Sequence, residues 1–521
     1  MKITMIVLAI ICYMIMVMYI GVQCSKANKS SDDFYLGGRK LGPFVTAMSA
    51  EASDMSSWLL MGLPGVALLT GVSGGTTGFA EAFWTALGLG IGTYLNWLIV
   101  SRRIRIYSEK NNSATIPDFF SNRFGDKSGI LTLIAAVVII IFFVPYTGSG
   151  FAAIGKLFNS LFGIDYHTAL LVGGAVIVFY TMTGGFLAAS TTDFIQSIVM
   201  SIALFVIVCF GIENAGGMAA VADNAKALTA SASLSEYFSL TGTDGSYGFL
   251  PIVSTLAWGL GYFGMPHILL RFMAIEDSEK LKLSRRIATV WVFISMGIAI
   301  FIGYIGLTFA INHGYIVDGM AAEGFDAERI IIYMSDKIAD IDSFAAIIAG
   351  IILAGILAAT MSTADSQLLA AASSVSENII KRFVWKDIPA KKQMWIARLS
   401  VAVISVIALV LAWNPDSSVF RIVSFAWAGF GAAFGPVMLF ALFWRRTTRQ
   451  GALAGMISGG AMVFLWKYGI SKLGGAFAIY ELLPAFIVSC ILIVAVSLAT
   501  AEPSKDILDT YDEVDALVKK K

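Results

Sequence analysis

The sequence predicts an all-α polytopic membrane protein, and three observations carry that prediction. Of 521 residues, 57% are hydrophobic and 14% charged, whereas an ordinary soluble domain holds about 25% charged residues. The charges fall in short clusters between apolar runs of about 20 residues, the length at which a helix crosses a bilayer. The longest stretches outside those runs, 214–245 and 313–343, leave no room for a soluble catalytic domain. A chain of this length would otherwise make roughly three or four soluble domains, and so few charges cannot cover their surfaces.

Composition also narrows the function. The 36 Lys and Arg balance 35 Asp and Glu at a net charge of +1, which selects neither nucleic acid nor an acidic partner. Cys12, Cys24, Cys209 and Cys490 lie far apart, without metal-ligand or disulfide spacing. Three histidines, His167, His267 and His313, argue against a haem or copper oxidase. The absence of a Gly-x-x-x-x-Gly-Lys-Ser/Thr phosphate loop argues against transport driven by ATP. The first apolar run, 3–22, is too long for a signal-peptide core and ends Gly21-Val22-Gln23-Cys24 without a small-residue cleavage pattern. It reads as an uncleaved span.

Hydropathy predicts thirteen spans: 3–23, 43–70, 77–100, 129–158, 166–184, 191–213, 246–269, 287–312, 344–375, 397–414, 418–443, 450–470 and 478–499. An odd number puts the termini on opposite sides. The segments after spans 1, 3, 5, 7, 9, 11 and 13, counted with Arg398 at the start of span 10, hold 28 of the 36 basic residues, including a group from Arg271 to Arg286. The segment 313–343 carries seven acids against two bases. Positive charge marks the cytoplasmic side, so the amino terminus is expected outside and the carboxyl terminus in the cytoplasm.

Two spans are interrupted. Span 2 contains Ser49-Ala50-Glu51-Ala52-Ser53-Asp54-Met55-Ser56-Ser57-Trp58, then Leu59-Leu60-Met61-Gly62-Leu63-Pro64-Gly65. An acid at a helix centre costs about 2.5–3.5 kcal/mol on insertion scales, so these residues are expected to line a protein-walled cavity. A surface loop is the alternative, but 41–48 and 59–69 are each too short to span alone. Span 7 contains Trp258-Gly259-Leu260-Gly261-Tyr262-Phe263-Gly264-Met265-Pro266-His267. Its glycines and proline weaken an α-helix, although close packing through small residues would also use them. The second break falls five spans after the first. Units of spans 2–6 and 7–11 would each begin with a broken helix in opposite orientation, the pattern of an inverted-repeat secondary transporter with a midplane site.

Span 9 carries Leu357-Ala358-Ala359-Thr360-Met361-Ser362-Thr363-Ala364-Asp365-Ser366-Gln367. Ser362, Asp365 and Ser366 share a helix face, with Thr363 adjacent. Such hydroxyls either back-bond to their own helix or replace the water around a hard monovalent cation, with unwound carbonyls of span 2 as further ligands.

The segments 53–65 and 258–267, together with Trp427-Ala428-Gly429-Phe430-Gly431-Ala432-Ala433-Phe434-Gly435-Pro436, closely resemble the sodium:solute symporter family, its proline branch in particular. Phe34-Tyr35-Leu36-Gly37-Gly38-Arg39 and Met361-Ser362-Thr363 match broader family motifs. The likeness runs over roughly 1–500. It implies a 5+5 inverted-repeat core of the leucine-transporter type: a first extra helix and loop (1–42), repeats at 43–213 and 214–443, two peripheral helices (444–499) and a cytoplasmic tail (500–521). It implies a sodium site formed by the carbonyls of Ala52, Met55 and Ala359 and the hydroxyls of Ser362 and Thr363, organised by Asp54. It implies a substrate pocket of Ser56, Trp58, Tyr146, Trp258, Tyr262 and Pro266, and a coupling or gating role for Arg39. Asp193, Asp365 and Ser366 resemble a second sodium site of some members, with structural hydrogen bonding as the other reading.

The implied activity is electrogenic sodium-driven import of L-proline by alternating access, in a multi-pass protein of the bacterial inner membrane. It calls for no nucleic acid, no enzyme chemistry and no obligatory protein partner. Aromatic rings suit proline, which has a compact apolar ring and an ammonium group that π faces attract. Ser57 stands where the proline branch usually has glycine, and Met265 where glutamine is frequent. Another small amino acid or a betaine-like osmolyte therefore remains an alternative substrate. A sensor module or a channel is the alternative from another class. Glu51 and Glu81 are additional in-membrane acids, expected to pair internally, bind a proton or face a vestibule.

Overall fold

The structure, a computed structural model, describes residues 2–25, 31–228 and 234–520. Lys26, Lys29 and Lys521, part of the charge asymmetry, lie outside the described residues. The helices used below are α1 (Lys2–Ser25), α2 (Pro43–Asp54), α3 (Leu63–Leu68), α4 (Gly78–Leu95), α5 (Ser101–Lys110), α6 (Ile116–Arg123), α7 (Ile130–Phe162), α8 (Tyr166–Asn214), α9 (Phe249–Leu256), α10 (Pro266–Ala274), α11 (Leu281–Asn312), α12 (Ser343–Ser373), α13 (Ala390–Leu411), α14 (Val419–Phe443), α15 (Arg449–Tyr468), α16 (Leu482–Ala499) and α17 (Lys505–Lys519). Among the described residues, ten helices are long and apolar enough to cross a membrane.

One of them, α8, has 49 residues and covers spans 5 and 6. At Gly185 the backbone leaves the helical region (φ 68, ψ −171), a conformation that residues with a Cβ avoid. The Tyr180 hydroxyl meets the Thr192 hydroxyl, although twelve residues extend about 18 Å along a straight helix. The chain therefore bends sharply at Gly185, giving two arms, 166–184 and 186–214.

Both predicted interruptions are present. α2 opens with Pro43 in its first turn and stops at Asp54, capped by Met55 at φ −79, ψ 74. The chain resumes through a wide turn at Trp58–Gly62 and continues as α3. In span 7, α9 passes into a tight 3₁₀ segment, Ala257–Gly264, then extended Met265, then α10 with Pro266 in its first turn. The glycines also serve close packing. A Cβ on Gly88 would meet the Leu256 carbonyl oxygen at 2.6 Å, and one on Gly259 would run into Gly88.

Several helices run past their apolar limits on the face that carries the basic loops. The span 3 helix continues through α5 to Lys110, α12 continues as a wide-turned helix over Ser374–Val384, and α11 begins at Leu281. These extensions are amphipathic, so hydropathy ends where the helix does not. The opposite face carries a two-stranded hairpin, β1 (Ile316–Val317) and β2 (Met320–Ala321), paired Ile316 to Ala321, and the helix Ile330–Ile338.

The tail is a docked helix. On α17, Val514 is fully buried and Tyr511 nearly so, with the Arg123 guanidinium 5.0 Å from the Tyr511 ring centre. Asp512 pairs with Arg445 at 2.8 and 2.9 Å, and Asp515 with Arg103 at 2.8 Å. The exposed Asp512–Arg445 pair contributes little, so the buried side chains carry most of the docking. Burying an aliphatic side chain contributes about 2 kcal/mol, and a carboxylate at position 514 would have no partner. Val514→Asp is expected to undock α17, read as faster tryptic cleavage at Lys505 with unchanged overall helicity; wild-type cleavage rates would refute it. The hydrogen bond from Arg445 holds Asp512 below the usual carboxylate value of 3.8. Its share of the docking is present above about pH 4 and fades as pH falls through the lowered value.

Candidate ion and substrate site

The break in α2 faces the middle of α12. Ser362 Oγ donates to the Ala52 carbonyl at 2.7 Å and to the Ala359 carbonyl at 3.1 Å, and Thr363 Oγ1 donates to Ala359 O at 3.2 Å. Ala52, Met55, Ala359 and Ser362 are fully buried and Thr363 nearly so. This donor set is neutral oxygen throughout, with hydroxyls that can turn their lone pairs inward, which fits a hard monovalent cation. Among the described residues no group of three or more His, Cys, Asp or Glu forms a metal cluster.

Asp54, at the end of α2, connects this seam to the aromatic residues. Its Oδ2 accepts from the Tyr262 hydroxyl at 2.5 Å. Its carbonyl accepts from the Trp58 indole at 3.0 Å and the Tyr146 hydroxyl at 3.4 Å. Asp54 Oδ1 has no hydrogen-bond partner. A fully buried carboxylate with a free oxygen is expensive, and a cation in the adjoining seam would supply the missing charge.

Ser56, Trp58, Tyr146 and Tyr262 are thus brought together around Asp54, each at most 2% exposed. Pro266 opens α10 just past Tyr262 and the extended Met265. Trp258 meets this group through Trp427, whose ring lies 5.1 Å from Tyr262 and 6.4 Å from Trp258. It stacks on Tyr480 at 5.1 Å and packs on Phe420 at 5.3 Å, and lines a cavity of about 490 Å³ together with Glu81, Arg421 and Glu481. Its carbonyl accepts from the Trp427 indole at 2.7 Å, so the 427–436 motif braces span 7.

The additional acids divide. Glu51 Oε1 accepts from Trp97 Nε1 at 2.7 Å and Thr93 Oγ1 at 3.0 Å, turning toward span 3. Glu81 pairs with Arg421 at 3.1 Å in the cavity. Arg39 reaches Met273 O at 2.6 Å, Ser113 O at 2.7 Å and Ser108 Oγ at 3.0 Å, tying the loop after α1 to α5 and α10. Buried Ser57 Oγ lacks a hydrogen-bond partner.

One assignment from the charge pattern is corrected. Arg271 is not a loop charge: it lies within α10, is 1% exposed, and hydrogen-bonds to Asp193 Oδ2 at 3.1 Å and Ser366 Oγ at 2.5 Å. The candidate second ion residues are therefore brought together around a guanidinium, with Asp365 Oδ1 accepting from Ser366 at 3.1 Å. The signal available was its position, one turn after the span 7 break, with Asp193 needing a counter-charge.

A broken helix that meets α12 across a buried, neutral-oxygen seam, with a second broken helix joined to it through Tyr262 and Asp54, defines an inverted-repeat secondary transporter. The sodium:solute symporter family model matches residues 34–459, and the chain belongs to that family. Over 505 residues it is 42% identical to the sodium/proline symporter of Escherichia coli strain K12, covering 97% of this chain and 95% of that one. It is 42% identical over 495 residues to the high-affinity proline transporter PutP of Bacillus subtilis strain 168, covering 95% and 98%. It is likewise 42% identical over 511 residues to the osmoregulated proline transporter OpuE of that strain, covering 98% of each. Among solved structures, a sodium-coupled sialic acid symporter in a substrate-bound outward-open state superimposes with a TM-score of 0.77 at 18% identity, covering 96% and 99%. Mhp1, a nucleobase-cation-symport-1 family transporter in a closed conformation, gives 0.53 at 14% identity, covering 92% and 98%. The fold is the leucine-transporter type.

Proposed function

We propose that the chain imports L-proline with sodium by alternating access across the bacterial inner membrane. The observation that carries this reading is the junction at Ala52–Asp54: its carbonyl meets Ser362 on one side and its carboxylate meets the aromatic pocket on the other. The names of the full-length relatives supply the substrate. Sodium is cargo here, held by the carbonyls of Ala52, Met55 and Ala359 with Ser362 and Thr363. Trp58, Tyr146 and Tyr262 enclose the proline ring, Ser56 and Asp54 order the unwound backbone, and the start of α10 at Pro266 presents a helix amino terminus to the carboxylate. Trp258 lies on the outer approach, and Arg39 fastens the cytoplasmic side.

Two crossings by α8 and one by each broken helix complete thirteen, with the amino terminus outside and the carboxyl terminus cytoplasmic. The repeats are 43–213 and 214–443. One sodium ion per proline suffices for scavenging. One charge moving through 100 mV supplies about 2.3 kcal/mol, enough for roughly 40-fold accumulation at about 1.4 kcal/mol per factor of ten.

Labelled proline uptake into proteoliposomes is expected to require an inward sodium gradient and to exceed the outside concentration. Uptake indifferent to that gradient sinks the reading. Unlabelled proline is expected to compete, and stronger competition by glycine betaine or another small amino acid would reassign the substrate while keeping the mechanism.

A further inference from the structure

Arg271 sits five residues beyond Pro266 on α10, and its side chain reaches three other helices. Nε donates to Ser49 Oγ on α2 at 3.0 Å. Nη2 donates to Asp193 Oδ2 on the second arm of α8 at 3.1 Å and to Ser366 Oγ on α12 at 2.5 Å. Nη1 donates to the His267 carbonyl of its own helix at 2.9 Å. Ser49 Oγ in turn donates to Asp193 Oδ2 at 2.7 Å, and the guanidinium lies 5.0 Å from the Phe186 ring centre. Moving α10 or the second arm of α8 alone separates the guanidinium from Asp193 and strands a charge away from water, and moving α2 or α12 alone leaves one of its buried N–H donors without a partner.

The placement of these contacts connects them to transport. Ser49 precedes Ala52 by three residues and Ser366 follows Thr363 by three, so each lies one helical turn from the ion seam. On both helices that turn is on the side toward the basic face. α2 and α12 are therefore fastened twice: at Ser362 and Ala52, and one turn nearer the cytoplasm through Arg271. Because Arg271 belongs to the helix that begins at the proline pocket, the second fastening also holds the substrate helix.

We propose that Arg271 is the positioning residue that couples the two cargoes, by requiring α2, α10 and α12 to part together before the cytoplasmic path opens. Without the guanidinium, α2 separates from α12 while α10 stays in place, and sodium leaks inward with no proline. The proposal rests on the sodium-coupled reading above.

The test is sodium influx into proteoliposomes in the absence of proline, beside equilibrium proline binding to the purified protein. Arg271→Gln is expected to raise the proline-independent influx about tenfold while proline affinity stays within about threefold, the pattern of a shifted gate population rather than a lost pocket. Arg271→Lys keeps the charge but not the fork, and is expected to leak less than Arg271→Gln. Influx at the wild-type level in Arg271→Gln overturns the proposal, as does equal leak in both variants or a loss of proline binding that accompanies the leak. Should Arg271→Gln fail to fold, Arg271→Gln with Asp193→Asn removes charge and counter-charge together and carries the same two readouts. Because the leak is read without proline, a mistaken substrate leaves this test intact. Absence of sodium-dependent uptake in the unaltered protein fails the functional reading instead.

Discussion

Ser362→Ala is expected to raise the sodium concentration for half-maximal proline uptake by about 30-fold. The hydroxyl lies 2.7 Å from Ala52 O and 3.1 Å from Ala359 O, so its oxygen sits among the carbonyls that would surround the ion. A hydrogen-bonding contact to a charged group is worth about 1.5–3 kcal/mol, and about 2 kcal/mol corresponds to that factor at about 1.4 kcal/mol per decade. Proline affinity at saturating sodium should change much less, because the Ser362 hydroxyl bonds the carbonyls of Ala52 and Ala359 rather than the aromatic residues. Ser405→Ala is the control: Ser405 is a buried serine whose hydroxyl only back-bonds to Val401 O at 2.8 Å. A Ser362 variant with unaltered sodium dependence would place the ion elsewhere.

Asp54→Asn is expected to reduce sodium-driven uptake about 100-fold. The substitution keeps the shape and an acceptor for the Tyr262 hydroxyl, so what it removes is the charge. Two opposite charges about 6 Å apart attract by about 3 kcal/mol at an effective dielectric constant of 20, which is about two decades. Tyr262→Phe makes the complementary change. It removes the 2.5 Å hydrogen bond, keeps the carboxylate, and is expected to weaken proline affinity about tenfold with a small effect on sodium, as for loss of one charge-assisted bond. Transport assays at varied sodium and varied proline separate the two. Equal activity of Asp54→Asn and the unaltered protein would mean the carboxyl group is neutral in the cycle.

The broken helices were legible because they violate a strict rule. Polar and Gly/Pro residues inside a span are tolerated only where protein or water, and not lipid, surrounds the backbone, so Asp54 and the 258–267 run stand out. The ion-site candidates were legible for the same reason, as hydroxyls clustered on one face of an otherwise apolar helix. Their pairing with Ala52 was not, since residues 310 positions apart meet only through packing. Arg271 shows the opposite failure. A cation at the end of an apolar run looks the same in sequence whether it enters the cytoplasm or turns into the bundle, and only the neighbouring Asp193 and Ser366 decide. Trp58 and Trp258 also look equivalent, each beside a break, yet one hydrogen-bonds to Asp54 O and the other stacks on Tyr480.

By itself the sequence determined the class of protein, the places where two helices break, and the asymmetry of charge, because each depends on what a residue does against lipid or water. Tertiary structure alone decided which hydroxyls meet which carbonyls, which tryptophan meets Asp54, and that a guanidinium lies between Asp193 and Ser366. Those outcomes depend on the relative placement of helices far apart in the chain. Burial turns a few ångströms there into the difference between a satisfied charge and a stranded one.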